Sequence, residues 1–391
     1  MVDRRDEHGR EGQRPEPKGR PGPQGNGRIP PPPVDRGPFG ASAPAGEQVE
    51  GPPGQPGRHA TPPRRTAGDL TSERLVRRRR PAPGGGWRRW LYDLSGGRIN
   101  LGPGPSEQLA LGLLERARAP IDGHRHVAVL SMKGGTGKTT TSVMLGHTLA
   151  SHRADRVIAV DAAPDAGTLG LRLRRETGNS VRDLLATAYR VERYADVRVH
   201  TSQAPSRLEV LASQIDPEVS EPFGGEAYRA VVALLARFYP LLITDCGPGV
   251  LGATMRPVLE LADQLVMVTN PTVDGGRSGS LTLDWLQAHD HGDLVAGAVV
   301  VINGIPRQPL IDVDSFEDHF GRRCRAVVRV PFDPHLGQGA ETDLAELRPA
   351  TRLAYLELAA GVVDGLGGRP RPPRGPVDRP FDGPLDRAPG A

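Results

Sequence analysis

Lysine is almost absent from this chain: only Lys18, Lys133 and Lys138 occur among 50 Lys+Arg residues, leaving 47 arginines. With so much Ala, Gly and Pro, that ratio reads as the codon bias of a high-GC genome. Two of the three lysines sit five residues apart in one Gly-rich loop, where arginine would have been the default. Cysteine is equally scarce. Cys246 and Cys324 cannot build a disulfide framework, nor a four-cysteine metal or cluster site within one chain, so a reducing cytoplasm is expected. No stretch approaches the roughly 20 apolar residues of a membrane span, and the N-terminus has no apolar signal core. The sequence therefore reads as a soluble, cytoplasmic protein, with peripheral membrane contact left open.

Proline, glycine and charge are abundant but unevenly placed. Residues 1–100 hold 17 of the 40 prolines and 18 of the 50 glycines, and carry 19 Lys+Arg against 11 Asp+Glu. Such a stretch cannot bury a core. Because the whole chain is +4, residues 101–391 are net −4, and removal of the Arg-rich tail after Asp364 leaves −6 for the middle. A nominally basic protein is thus expected to be an acidic globule with basic, disordered arms at residues 1–86 and 367–391. The four arginines at residues 77–80 suit nucleic acid or anionic lipid, or simply a solvated charge run.

Between arm and globule, residues 87–123 read as a linker with one short amphipathic helix: Trp87, Trp90, Leu91 and Leu94 fall at i, i+3, i+4 and i+7. From residue 124 to 366 apolar strands alternate with helical segments. That is the pattern of an α/β fold, a mostly parallel sheet with helices on both faces. Strands are expected at residues 126–130, 157–160, 208–211, 241–244, 264–268, 295–302 and 325–330, and helices at 139–151, 226–237, 279–288 and 349–363.

The first expected strand runs into Ser131-Met-Lys-Gly-Gly-Thr-Gly-Lys-Thr-Thr140. Its chemistry is that of the phosphate loop of a P-loop NTPase. Gly134, Gly135 and Gly137 let backbone N–H groups of residues 133–140, Thr136 and Thr140 included, turn inward toward phosphate oxygens. Lys138 neutralises β/γ charge, Thr139 offers a hydroxyl to Mg²⁺, and a helix begins with its positive end facing the anion. The usual G-x-x-x-x-G-K-[ST] pattern fails at its first position, where Met132 stands, and Lys133 adds a second lysine.

This variant resembles the deviant Walker A motif of the MinD/ParA family of ATPases, over residues 124–363. The resemblance implies ATP and Mg²⁺ as ligands. It also implies that Lys133 reaches the ATP of a second subunit, so that nucleotide assembles a homodimer. Asp245, ending Leu-Leu-Ile-Thr-Asp, corresponds to the Walker B aspartate that orders the Mg²⁺ shell. Asn303 and the Val-Pro-Phe-Asp-Pro loop, with Pro331 and Asp333, correspond to adenine-side elements; such residues also end strands for purely structural reasons. No Asn-Lys-x-Asp motif for guanine occurs, which favours ATP over GTP.

The departure lies in Val160-Asp-Ala-Ala-Pro-Asp165. The family's strand ends in Asp-x-Asp, and the second aspartate positions the attacking water. Here Asp161 is kept for the Mg²⁺ region, but Ala163 fills the second place, with Asp165 as the only nearby substitute. Slow hydrolysis is expected. The Pro-rich arm, the Trp-Arg-Arg-Trp-Leu-Tyr-Asp-Leu block, Pro-Thr-Val-Asp at residues 271–274 and Leu-Asp-Trp-Leu at 283–286 are similar to the EspI-type MinD-like ATPases of actinobacterial type VII secretion loci.

These observations lead to an ATP-dependent dimerisation switch whose protein partner reads the arm or the closed face. The rival is a ParA-type partitioning or positioning ATPase that binds DNA nonspecifically. An acidic core disfavours that, since such affinity comes mostly from phosphate neutralisation. A MinD-like membrane helix is disfavoured by Gly and Pro after residue 363. Iron–sulfur carrier ATPases need paired cysteines that this chain lacks.

Overall fold

The computed structural model describes residues 93–95, 100, 103–163, 167–213, 224–247, 249 and 254–367. Residues 1–86, the tail after Gly367, Trp87, Trp90, Leu91 and Asp165 lie outside the described residues. Of the expected amphipathic helix, Asp93 and Leu94 are described, both helical, with Leu94 exposed.

Eight strands form one sheet: Arg125–Leu130 (β1), Val157–Ala162 (β2), Ser202–Gln203 (β3), Glu209–Leu211 (β4), Leu241–Cys246 (β5), Gln264–Thr269 (β6), Val299–Ile305 (β7) and Ala326–Pro331 (β8). Their order is β3-β4-β2-β5-β1-β6-β7-β8, with every neighbour parallel except the β3–β4 pair. All residues of β1, β2, β5 and β6 are buried, as near-continuous apolar runs require when helices cover both faces.

Helices occupy Pro105–Ala117 (α1), Lys138–His152 (α2), Val181–Ala186 (α3), Tyr194–Arg198 (α4), Gly225–Leu235 (α5), Met255–Leu261 (α6), Val273–Ala288 (α7), Gly292–Gly297 (α8), Val313–Gly321 (α9), Pro334–Gly337 (α10) and Pro349–Gly367 (α11). Alternation along the strands divides the core in two. Val127, Val129, Ala159 and Ile243 pack with α2 and α11, while Ala128, Leu130, Ile158 and Leu242 pack with α5, α6 and α7. After β1 the chain lays down β2, β4 and β5 to one side, then crosses to β6, β7 and β8 on the other. The carboxyl end of β1 is thus a topological switch point, where open α/β sheets form their ligand crevice.

Beyond the added short strand β3 and several short helices, three features differ from the sequence expectation. Residues 105–117, inside the expected linker, are a helix that packs on α11: Leu113 and Ala117 are buried, and Arg116 pairs with Asp364 at 2.5 Å. Arg153 ties the helix end down, donating to the carbonyls of Ala117 and Ala119 at 2.8 and 2.7 Å. The expected strand 295–302 begins later, at Val299, because Val295 belongs to α8 and the chain turns extended only at Ala298. A continuous apolar run hides that boundary. Helix α7 starts at Val273, six residues before the expected Gly279, capped by the Thr272 hydroxyl, which accepts from Gly275 N at 3.0 Å. Its glycines argue against helix by propensity, yet packing demands them. A Cβ at Gly276 would stand 2.7 Å from Phe316, and one at Gly279 3.0 Å from Phe320.

Candidate functional site

The loop between β1 and α2 sits at the switch point. Gly135 and Gly137 have φ of 75° and 86°, conformations open to glycine at little cost. Gly137 is the N-cap of α2, so Lys138 and Thr139 lie in the first turn, at the positive end of a 15-residue helix. The loop is braced from three sides. Ser131 Oγ donates to the Lys133 carbonyl at 2.9 Å, Gly249 N donates to the Ser131 carbonyl at 3.0 Å, and Asn303 Nδ2 donates to the Thr136 carbonyl at 2.9 Å. Asn303, expected on the adenine side, here holds the phosphate loop; a Cβ on Gly137 would stand 2.1 Å from its amide nitrogen. Thr136 and Thr140 are buried, while Gly134 is exposed.

The carboxylates come from β2 and β5. Asp161 and Asp245 are register partners on these neighbouring strands. They share alternation parity with Ala159 and Ile243, so both face α2. There Lys138 Nζ meets Asp245 Oδ1 at 3.2 Å and Ser142 Oγ donates to the same oxygen at 2.9 Å. Asp161 accepts from Ala163 N and Leu169 N, each at 3.1 Å, and from Ser213 Oγ at 3.2 Å. Burial, and then the adjacent Asp245, push the Asp161 carboxyl up to about 6. Two nearly buried carboxylates on neighbouring strands raise each other's proton affinity unless cations stand by, and Lys138 meets only Asp245.

Among the described residues no cluster of three or more His, Cys, Asp or Glu could hold a metal by itself. Two carboxylates at a phosphate loop suit Mg²⁺ instead, which takes one or two protein ligands and completes its shell with phosphate oxygens and water. The donor set present therefore fits Mg²⁺ arriving with a nucleotide.

Lys133 stands apart from this cluster. Its ammonium pairs with Asp274 in the first turn of α7 at 3.1 Å. Beneath lies a small cavity lined by Met132, Thr136, Thr269 and Asn270 among others. Pro331 ends β8, and Asp333 caps α10, accepting from His335 N at 3.1 Å and from Arg348 N at 3.0 Å. Ser142 and Asp274 had no place in the sequence reading as site residues. Ser142 was findable, because it lies one turn beyond Lys138 on the same helix face; the reach of Asp274 depends on where α7 begins.

A loop of inward-turned glycines, a lysine at the helix start and a strand-end aspartate sharing that lysine define a P-loop nucleotide-binding protein. Residues 124–277 match the family model described as AAA domain. The chain is 38% identical over 282 residues to the ESX-1 secretion-associated protein EspI of Mycobacterium tuberculosis, covering 71% of this chain and 42% of that protein's length. It is 30% identical over 244 residues to an uncharacterized ATP-binding protein of Methanocaldococcus jannaschii, covering 61% of this chain and 87% of that protein. A ParA family ATPase from Chlorobium tepidum shares the fold, with a TM-score of 0.52 at 20% identity over 61% of this chain and 99% of its own. The chain belongs to the MinD/ParA family of P-loop ATPases and is related to EspI. No described helix is long and apolar enough to cross a membrane.

Proposed function

We propose that the protein is an ATP-dependent dimerisation switch with slow hydrolysis, serving a type VII secretion apparatus or another cellular assembly in the cytoplasm. The observation that carries the reading is the division of labour between its two loop lysines. Lys138, largely buried, is committed to Asp245 within its own subunit. Lys133, half exposed, is held only at the rim by Asp274.

In this reading Gly134, Gly135, Gly137 and the first turn of α2 cradle the phosphates of ATP through backbone N–H groups, with Lys138 leaving Asp245 for the β- and γ-phosphate oxygens. Mg²⁺, when bound, supplies charge neutralisation across those phosphates. Thr139, Asp161 and Asp245 would hold it. Lys133 then crosses to the nucleotide of a second copy, Asn303 keeps the loop in shape, and Pro331 and Asp333 border the adenine side. A protein partner would read the closed face or the Pro-rich arm. EspI's description as secretion-associated supports the type VII assignment. Partitioning by nonspecific DNA binding is the competing outcome.

Light scattering and phosphate release, with and without ATP, test the proposal. An ATP-dependent doubling of mass with slow turnover supports it; a monomer under saturating ATP overturns it. The same assay with double-stranded DNA decides between the roles: salt-sensitive DNA binding that survives deletion of residues 1–86 would move the protein to the partitioning class.

A further inference from the structure

Arg172 closes the short 3-10 turn Leu169–Arg172 that follows β2 and the Ala163 position. Its backbone is pinned, because the N–H and hydroxyl of Thr342 both donate to the Arg172 carbonyl, at 2.9 and 3.2 Å. Its guanidinium lies against Gly339, where a Cβ would come within 3.3 Å of Nη1. Gly339 has a φ of 69°, so conformation and space both favour glycine there.

Two guanidinium donors, Nε–H and Nη1–H, are buried and meet no acceptor among the described residues. Sealed donors without partners are costly and uncommon, and a charged group aggravates the cost. The charge of Asp245 partly offsets the effect of burial on Arg172. That carboxylate is already shared by Lys138 and Ser142. Arginine remains protonated in this setting, so the cation waits on an anion at the turn whose other end holds Leu169 N against Asp161 at 3.1 Å.

We propose that Arg172 is a phosphate-sensing residue of the switch segment, taking the terminal phosphate of ATP in its own subunit. The inference rests on the nucleotide reading above. A planar fork of N–H donors matches a phosphoryl group's oxygens, and the γ-phosphate is the group by which ATP differs from ADP. An arginine supplied in cis stabilises charge on the transferring phosphoryl group in other P-loop NTPases. With Ala163 unable to address that group, Arg172 makes the turn after β2 sensitive to it. Because Thr342 is fastened to the Arg172 carbonyl, the turn and the loop around Gly339 would shift together when the phosphate arrives.

The test compares Mg²⁺-dependent binding of a non-hydrolysable ATP analogue and of ADP to the full chain, alongside nucleotide-free melting. In Arg172→Gln the analogue should bind about tenfold more weakly or worse, the loss of a charge-assisted hydrogen bond. ADP affinity should stay within about twofold, and the nucleotide-free melting temperature should not fall. Arg172→Lys, which keeps charge but not the fork, should lie between. Equal weakening of both nucleotides, or no effect on either, overturns the proposal. A wild type that binds ADP and the analogue leaves the phosphate-loop reading intact whichever way Arg172→Gln behaves; a wild type that binds neither overturns that reading and this one with it.

Discussion

Lys133 and Asp274 are ion-paired at 3.1 Å between the phosphate loop and the first turn of α7, with the two side chains 50% and 79% exposed. A pair so open to water is worth little, so an incoming phosphate can displace it. It nonetheless holds the Lys133 ammonium at the rim of the loop. Asp274→Asn should release Lys133 and lower the protein concentration at which ATP drives dimerisation. Lys133→Ala should keep ATP binding but lose the dimer, whereas Lys138→Ala should lose both. Light scattering at several protein concentrations separates the three. A Lys133→Ala protein that still dimerises with ATP removes the trans role.

Ala163 offers a backbone N–H to Asp161 and no side-chain acceptor for water. One water-positioning contact is worth on the order of 10²-fold in rate, so turnover should lie well below the enzyme median of about 10 s⁻¹. Ala163→Asp should raise phosphate release without tightening ATP binding, since the contact matters mainly in the transition state. Asp165→Ala is the control. If it abolishes turnover while Ala163→Asp adds nothing, the role belongs to Asp165.

His147, on α2, sits between Ser206 Oγ at 2.6 Å and Thr342 Oγ1 at 3.4 Å. Burial pulls its pKa down from 6.5 to about 4, with Asp343 opposing. The folded state holds this ring neutral, while the unfolded chain takes up a proton below 6.5. The stability it supports is therefore complete above about pH 6.5 and declines as pH falls toward 4. His147→Gln should flatten that decline in a series of chemical denaturation curves from pH 7.5 to 4. An unchanged slope assigns the acid sensitivity to other groups.

Truncation tests the first helix. A chain beginning at residue 103 should bind ATP and melt with the full-length protein. One beginning at residue 124 forfeits the burial of Leu113 and Ala117, the Arg116–Asp364 pair and two acceptors of Arg153. It should be destabilised by roughly 2–5 kcal/mol. Equal melting of the two truncations would show that α1 contributes nothing to the fold.

Much of this architecture was legible locally. Seven strands and the phosphate loop announce themselves through apolar runs, glycines and out-of-place lysines. Glycines 276 and 279 concealed the first turns of α7 because their reason is a neighbour's rings, Phe316 and Phe320, distant in sequence. The two-residue strand β3 exists only as a partner of β4. Asn303 was singled out in the sequence, but its bond to the Thr136 carbonyl, like the place of Arg172, was opaque for the same cause: which backbone or crevice a side chain meets is settled by sheet order and not by its own surroundings in the chain.

The pairing of Asp161 with Asp245 also makes the active centre an inspector of assembly. Side chains alternate along a strand, so a slip of β2 by one residue against β5 would turn Asp161 into the apolar layer beneath α5 and α6, leaving Val160 or Ala162 in its place. A sheet threaded that way would lack one of the two carboxylates proposed to hold Mg²⁺. On the proposed function, a nucleotide that favoured the correctly threaded form would draw the population toward it by mass action. The ligand of the switch would then also be the arbiter of its folding.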